Sequence, residues 1–346
     1  MTDPQSGWGT PGYRPPASPA PKPGVIPLRP LGLGEILDGA ISYIRANPTV
    51  TLGLSAVVMT LTQLVQLPAS YLYFDGLAEL DQAAPGSGSE VAGALGGGLA
   101  ATLLGVVVNF VAVTLLTGML IVVLSRAVLG WRTTLQEAWA AARPRLPGLL
   151  GLSLLTALLL AAALVAGIVP IVLAAVAGAP VWVPVVLGAV TVPAAICLMI
   201  YLWVALALAP PGYMLEHIGV LAALSRSRRL VGPRWWRVFG ILLLGTLIGA
   251  VISGIINIPF AVAAAAIDGA FTADAAVLAP TSLTALLIAA VGTIIAGTIT
   301  APFTAGVTGL LYFDQRIRRE AWDLELARAV SGGPPTAAGP SLEPAW

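Results

Sequence analysis

From Thr49 onward, long uncharged runs alternate with short charged ones. The uncharged runs are long enough to cross a bilayer, which takes about 20 apolar residues in one helix. Thr49–Phe74 supplies a first span and Val91–Ser125 a second. Leu146–Leu215 contains no charged residue and is far too long for one crossing; "AGAPVWVP" (Ala177–Pro184) divides it into a third and a fourth. Val238–Ile267 and Ala275–Phe313 give the fifth and sixth. The pattern predicts an all-α, polytopic membrane protein with six transmembrane helices.

The charged runs have a helical period of their own. "LGEILDGAISYIRANP" (Leu33–Pro48) places Ile36, Leu37, Ala40, Ile41 and Ile44 on one face, with Glu35, Asp38 and Arg45 largely on the other. "TTLQEAWAAARPRLP" (Thr133–Pro147) and "IGVLAALSRSRRLVGPRWW" (Ile218–Trp236) share that form. Each is a short amphipathic helix that ends at Pro and Arg and runs into a span. At an offset of 89 residues, Arg145, Gly151, Leu154, Leu158, Ala161 and Pro170 fall on Arg234, Gly240, Leu243, Leu247, Ala250 and Pro259. The first copy fits more loosely, with Pro68 arriving early. The expectation is three repeats, each an interfacial amphipathic helix followed by a transmembrane hairpin, all starting on the same side.

Composition agrees. Of 346 residues 58% are hydrophobic and 10% charged, with a mean hydropathy of +0.92, against about 25% charged in soluble domains. The net charge of +1 gives no pull toward nucleic acid. Residues 1–28 and 329–346 are rich in Pro and Gly, without apolar period, and read as unstructured tails around a membrane domain at 29–328. The first tail lacks the apolar core of a signal peptide. All 17 Lys and Arg fall before the first span, between the second and third, between the fourth and fifth, or after the sixth. The opposite loops carry only acids: Asp75, Glu79, Asp81 and Glu90 in one, Asp268 and Asp274 in another. Under the positive-inside rule both termini are expected in the cytoplasm, with the chain in the inner (cell) membrane.

Candidate chemistry is sparse. The span cores hold amides and hydroxyls instead of ionisable groups; Asn109, Asn257 and Thr300 are the candidate cavity residues. Asn257 and Thr300 each precede a proline by two positions, where a polar group can satisfy a carbonyl that the proline frees. Gly245 and Gly249 are spaced for close helix contact, within the chain or between copies. His217 reads as an ordinary interfacial residue and Cys197 as an apolar filler. No Cys/His dyad, HExxH or multi-histidine cluster is present, so neither an enzyme nor a metal or other cofactor is expected.

The stretch "LLYFDQRIRREAWDLELA" (Leu310–Ala327) follows the sixth span. Phe313, Ile317, Ala321 and Leu324 form one stripe, and Asp314–Arg318, Arg316–Glu320 and Arg319–Asp323 are spaced i,i+4 to pair along a surface. The expectation is an exit helix turning along the membrane. Arg316, Arg318, Arg319 and Trp322 here, with Arg226, Arg228 and Arg229 of the Ile218–Trp236 segment, are the candidate contacts with lipid headgroups or a cytoplasmic protein.

"IPLRPLGLGEILDGAISYIRANP" (Ile26–Pro48) together with Leu310–Ala327 resembles actinobacterial proteins grouped with the membrane domain of glycerophosphoryl diester phosphodiesterases. The resemblance spans about Ile26 to Ala327. It implies a membrane domain which, in that family, can precede a separate hydrolytic barrel. Here only a Pro-rich tail follows Ala327, so no catalytic residue is carried over. The functional expectation is a non-enzymatic membrane scaffold or lipid-interacting module, with lipids, a cytoplasmic protein or a second copy as partners. A transporter or lipid exporter is the alternative, and the membrane part of a glycerophosphodiester phosphodiesterase system is a weaker one.

Overall fold

The computed structural model describes residues 25, 27, 29–82, 88–131, 133–269 and 282–320, with 72–82 and 88–103 given as helix backbone. Apart from Val25 and Pro27, the two tails lie outside the described residues, as do Trp322 and Asp323. Among the described residues ten α-helices follow in order: α1 (Leu33–Ala46), α2 (Pro48–Gln82), α3 (Gly88–Val128), α4 (Leu135–Ala142), α5 (Leu146–Val176), α6 (Trp182–Leu206), α7 (Ala209–Glu216), α8 (Val220–Val231), α9 (Trp235–Ile267) and α10 (Leu283–Glu320). Six of them, α2, α3, α5, α6, α9 and α10, are long and apolar enough to cross a membrane. The protein is therefore an all-α, multi-pass membrane protein.

The three units are visible in the element order. α1, α4 and α8 each precede a long helix, and α2 packs on α3, α5 on α6, and α9 on α10. In the second and third units a single 3₁₀ turn, Arg143–Arg145 or Gly232–Arg234, joins the short helix to the span. Each turn carries a proline, whose fixed φ suits a tight helix start. In the first unit a single residue, Asn47, joins α1 to α2. Local capping sets the starts: Glu35 accepts from the Gly32 N–H at 2.7 Å, and Thr134 and Glu137 form a reciprocal capping box.

The expected fourth span is two helices. α6 ends at Leu206, and α7 restarts at Ala209 ahead of Pro210 and Pro211, neither of which can donate a backbone hydrogen bond. The Ala205 carbonyl beside this break accepts from the Ser227 hydroxyl of α8 at 2.7 Å. α7 closes on His217, which holds a left-handed φ of 58°.

α10 is the central element. It packs on α9 and also touches α1, α2, α3, α7 and α8. Close approach is by small residues: a Cβ on Gly306 would meet Tyr43 Cε1 at 2.5 Å and Ala40 Cα at 3.1 Å. Gly245 and Gly249 face Val307 and Thr304 of α10, so this GxxxG pair packs inside the chain. The Tyr43 hydroxyl donates to the Pro302 carbonyl at 2.5 Å, and burial pushes its phenol pKa up, so it stays a donor.

We expect Gly306→Val to push α1 off α10 and cost ~1–3 kcal/mol, read as a lower Tm in detergent. Gly240→Ala, with nothing within 4 Å of the added carbon, should leave Tm unchanged or slightly raised.

Candidate functional site

The sixth span does not end at Phe313 and turn along a surface. α10 continues unbroken to Glu320, and Leu310–Ile317 is buried against α1, α3, α7 and α8. The side chains of Asp314 and Gln315 are fully buried, and Arg316 is 5% exposed. The charged stretch read as a surface is thus the polar centre of one end of the bundle. Helical spacing identifies a charged face, but the partners that cover it come from distant parts of the chain.

Two carboxylates organise this centre. Asp314 Oδ1 accepts from Arg318 Nε at 2.7 Å, the i,i+4 pair that the sequence predicts, and from the Leu31 N–H at 2.9 Å. Its Oδ2 lies 3.3 Å from Arg237 Nη2 and accepts from Gln315 Nε2 at 3.3 Å. The Leu31 carbonyl in turn accepts from Arg237 Nη2 at 2.9 Å and Arg318 Nη2 at 2.8 Å. Both main-chain groups of one residue ahead of α1 are therefore clamped by α9 and α10.

Glu216, in the last turn of α7, is the second carboxylate. Arg226 of α8 meets it in a bidentate fork, Nε to Oε2 at 2.9 Å and Nη2 to Oε1 at 2.9 Å. Tyr312 donates a short hydrogen bond to Oε1, and Arg316 Nε lies 3.6 Å from the same oxygen. Arg316 is thus paired across helices with Glu216, and the side chain of Glu320, its i,i+4 partner by spacing, lies outside the described residues. Arg319 Nη1 donates to the Arg229 carbonyl at 2.5 Å, and the expected Arg319–Asp323 pair lies outside the described residues.

Four guanidinium groups thus converge on two carboxylates, a surplus of positive charge at the rim of an apolar domain. Burying such ions is tolerable only with close pairing and full hydrogen bonding. Gln315 Oε1, buried beside Asp314, has no partner among the described residues. The described residues hold no group of His, Cys, Asp and Glu arranged for a metal ion. The arrangement locks helix ends together and presents positive charge.

The sequence-derived candidates divide. Arg226, Arg316 and Arg318 are turned inward as ion-pair partners, a correction to their reading as surface contacts. Arg228, Arg229 and Arg319 are exposed as expected. Trp322 lies outside the described residues. The three cavity candidates have different surroundings. Asn109 is exposed on α3. Asn257 donates to the Ser253 carbonyl at 2.8 Å and faces Gly292, while Thr300 donates to the Ala296 carbonyl at 2.9 Å. Neither bonds the carbonyl that the following proline frees, which belongs to Ile255 or Thr298. A cavity between α2 and α10 is lined, among others, by Gln63, Gln66 and Thr293.

The sequence reading missed Glu216, Tyr312, Arg237 and the Leu31 backbone as members of one site. One signal was present: an acid directly ending a charge-free run of 70 residues, Leu146–Leu215.

Asp314→Ala should leave Arg237 and Arg318 facing each other without their carboxylate and cost ~3–5 kcal/mol. Hydrogen exchange should then accelerate at the Leu31 amide. Arg126→Ala, which removes an exposed pair with Glu137 at 3.0 Å, should change stability by under ~1 kcal/mol.

No curated protein and no solved structure matches this chain. A family model does match, described as a domain of unknown function (DUF7847), over residues 31–314. Its two limits are Leu31 and Asp314, the residues joined by the backbone-to-carboxylate hydrogen bond. A match over that much of the chain makes it a member of the DUF7847 family.

Proposed function

We infer that the protein is a non-enzymatic, lipid-engaging scaffold of the cell membrane, with both termini in the cytoplasm. The observation that carries this reading is a cluster of exposed arginines, Arg228, Arg229, Arg234 and Arg319, at the same end as the ionic centre. Trp236 stands among them, 78% exposed. Arginine beside tryptophan suits the headgroup level, where the ring reaches the interface and the cation meets anionic lipid. The inward-facing ion pairs hold α1, α7, α8, α9 and α10 in fixed relation, so the exposed cations form a surface of set shape. The distribution of Lys and Arg supports a cytoplasmic orientation for this end. A cytoplasmic protein with an acidic face would find the same surface.

The test is thermal unfolding in nanodiscs of phosphatidylcholine with and without phosphatidylglycerol. The anionic lipid should raise Tm in the wild type, and the gain should fall in an Arg228→Gln/Arg229→Gln/Arg319→Gln variant. At about 1 kcal/mol per arginine, the apparent affinity for the anionic lipid drops about a hundredfold. An unchanged gain in the triple variant would overturn the lipid reading. Orientation is checked separately. With Cys197 replaced by Ser, a Ser341→Cys variant should react with a membrane-impermeant maleimide only after the cells are permeabilised.

A further inference from the structure

The second polar feature of the bundle is the groove between α2 and α10, on the far side of the membrane domain from the ionic centre. It has a volume of about 210 Å³ and is lined by Gln63, Gln66 and Ser70 of α2 and by Ala289, Ala290 and Thr293 of α10, among others. Thr293 returns its hydroxyl to the Ala289 carbonyl at 3.0 Å. Gln63 and Gln66 are half-buried, one helical turn apart, and no described residue hydrogen-bonds to either amide. An amide at bilayer depth is costly unless something accepts from it.

Depth and charge narrow what that something is. Gln63 and Gln66 lie about 22 and 27 Å along α2 from Pro48 at the basic end, taking 1.5 Å per residue. The hydrocarbon layer is about 30 Å thick, so Gln66 sits just inside its far boundary and Gln63 one helical turn deeper. Glycerolipid ester linkages lie at that boundary, toward which long glutamine side chains can extend. They offer carbonyl acceptors and no donors, which is the complement of an unpaired amide N–H. Further along α2 the sequence carries Asp75, Glu79 and Asp81 and no Lys or Arg, which disfavours an anionic headgroup above the groove.

We propose that the groove binds one diacyl glycerolipid of the leaflet opposite the ionic centre, with an uncharged or zwitterionic headgroup. The Gln63 and Gln66 amides donate to its ester carbonyls, and an acyl chain lies along Ala289 and Ala290. This site differs from the arginine surface in leaflet, in charge and in the part of the lipid it reads.

The experiment is native mass spectrometry on delipidated full-length protein, titrated with dioleoyl phosphatidylethanolamine and with its diether analogue, which lacks the carbonyls. One diester lipid per chain should be retained at about tenfold lower concentration than the diether. A Gln63→Leu/Gln66→Leu variant should lose that preference with Tm unchanged or raised. Equal retention of diester and diether by the wild type would overturn the proposal without recourse to any variant. Phosphatidylglycerol binding as well as phosphatidylethanolamine would overturn the headgroup assignment. A wild-type dimer that dissociates in the double variant would show that the amides pair between two copies, and would overturn the lipid site.

Discussion

Charge held away from water is the constraint on which the rest of the structure depends. Four guanidinium groups, two carboxylates and a phenol meet where α10 leaves the apolar layer, and none is stable there alone. Their pairing fixes five helix ends at once, because the donors and acceptors come from α7, α8, α9, α10 and the segment ahead of α1. A soluble protein could leave these groups in solvent at little cost. Here water is scarce and the neighbours are leucines and aromatics, so each ion must find its counterpart in a defined place.

The apolar part of the bundle follows a different logic. In lipid, no hydrophobic effect pushes one spanning helix onto another, so contact depends on shape. α10 is lined by small residues where it meets others: Gly306 against Tyr43 and Ala40, Gly309 against Ile121 and Leu124. α5 and α6 use the same device, with Gly167 seated on Thr191 and Ala195 and its carbonyl accepting from the Thr191 hydroxyl at 2.7 Å. The two regimes divide the molecule along its length, with packing by shape in the layer and pairing by charge at its rim.

What was legible in the sequence is what depends on neighbours along one helix. The six spans, the three amphipathic helices and the Asp314–Arg318 pair all follow from composition or from a 3.6-residue period. The Pro210–Pro211 break was hidden because it falls inside a uniformly apolar run. The ionic centre was read as a surface for a related reason. Spacing shows that Arg316 could reach Glu320, but it carries no information about Glu216, a hundred residues earlier in the chain and 3.6 Å from its guanidinium. Gly245 and Gly249 could be recognised as a contact; that the contact is with α10 and not with another copy depends on tertiary structure.

The clamp on Leu31 has a consequence for how the protein is made. Its partners are Arg237, Asp314 and Arg318, so the first segment of the membrane domain to leave the ribosome is completed by the last. Until α10 is inserted, the Leu31 amide and carbonyl lack these partners, and Arg226 holds Glu216 without Tyr312 or Arg316. Assembly therefore ends in a ring closure rather than a simple addition of hairpins. A chain stalled before its sixth crossing presents an open polar seam that quality-control proteases of the membrane can recognise.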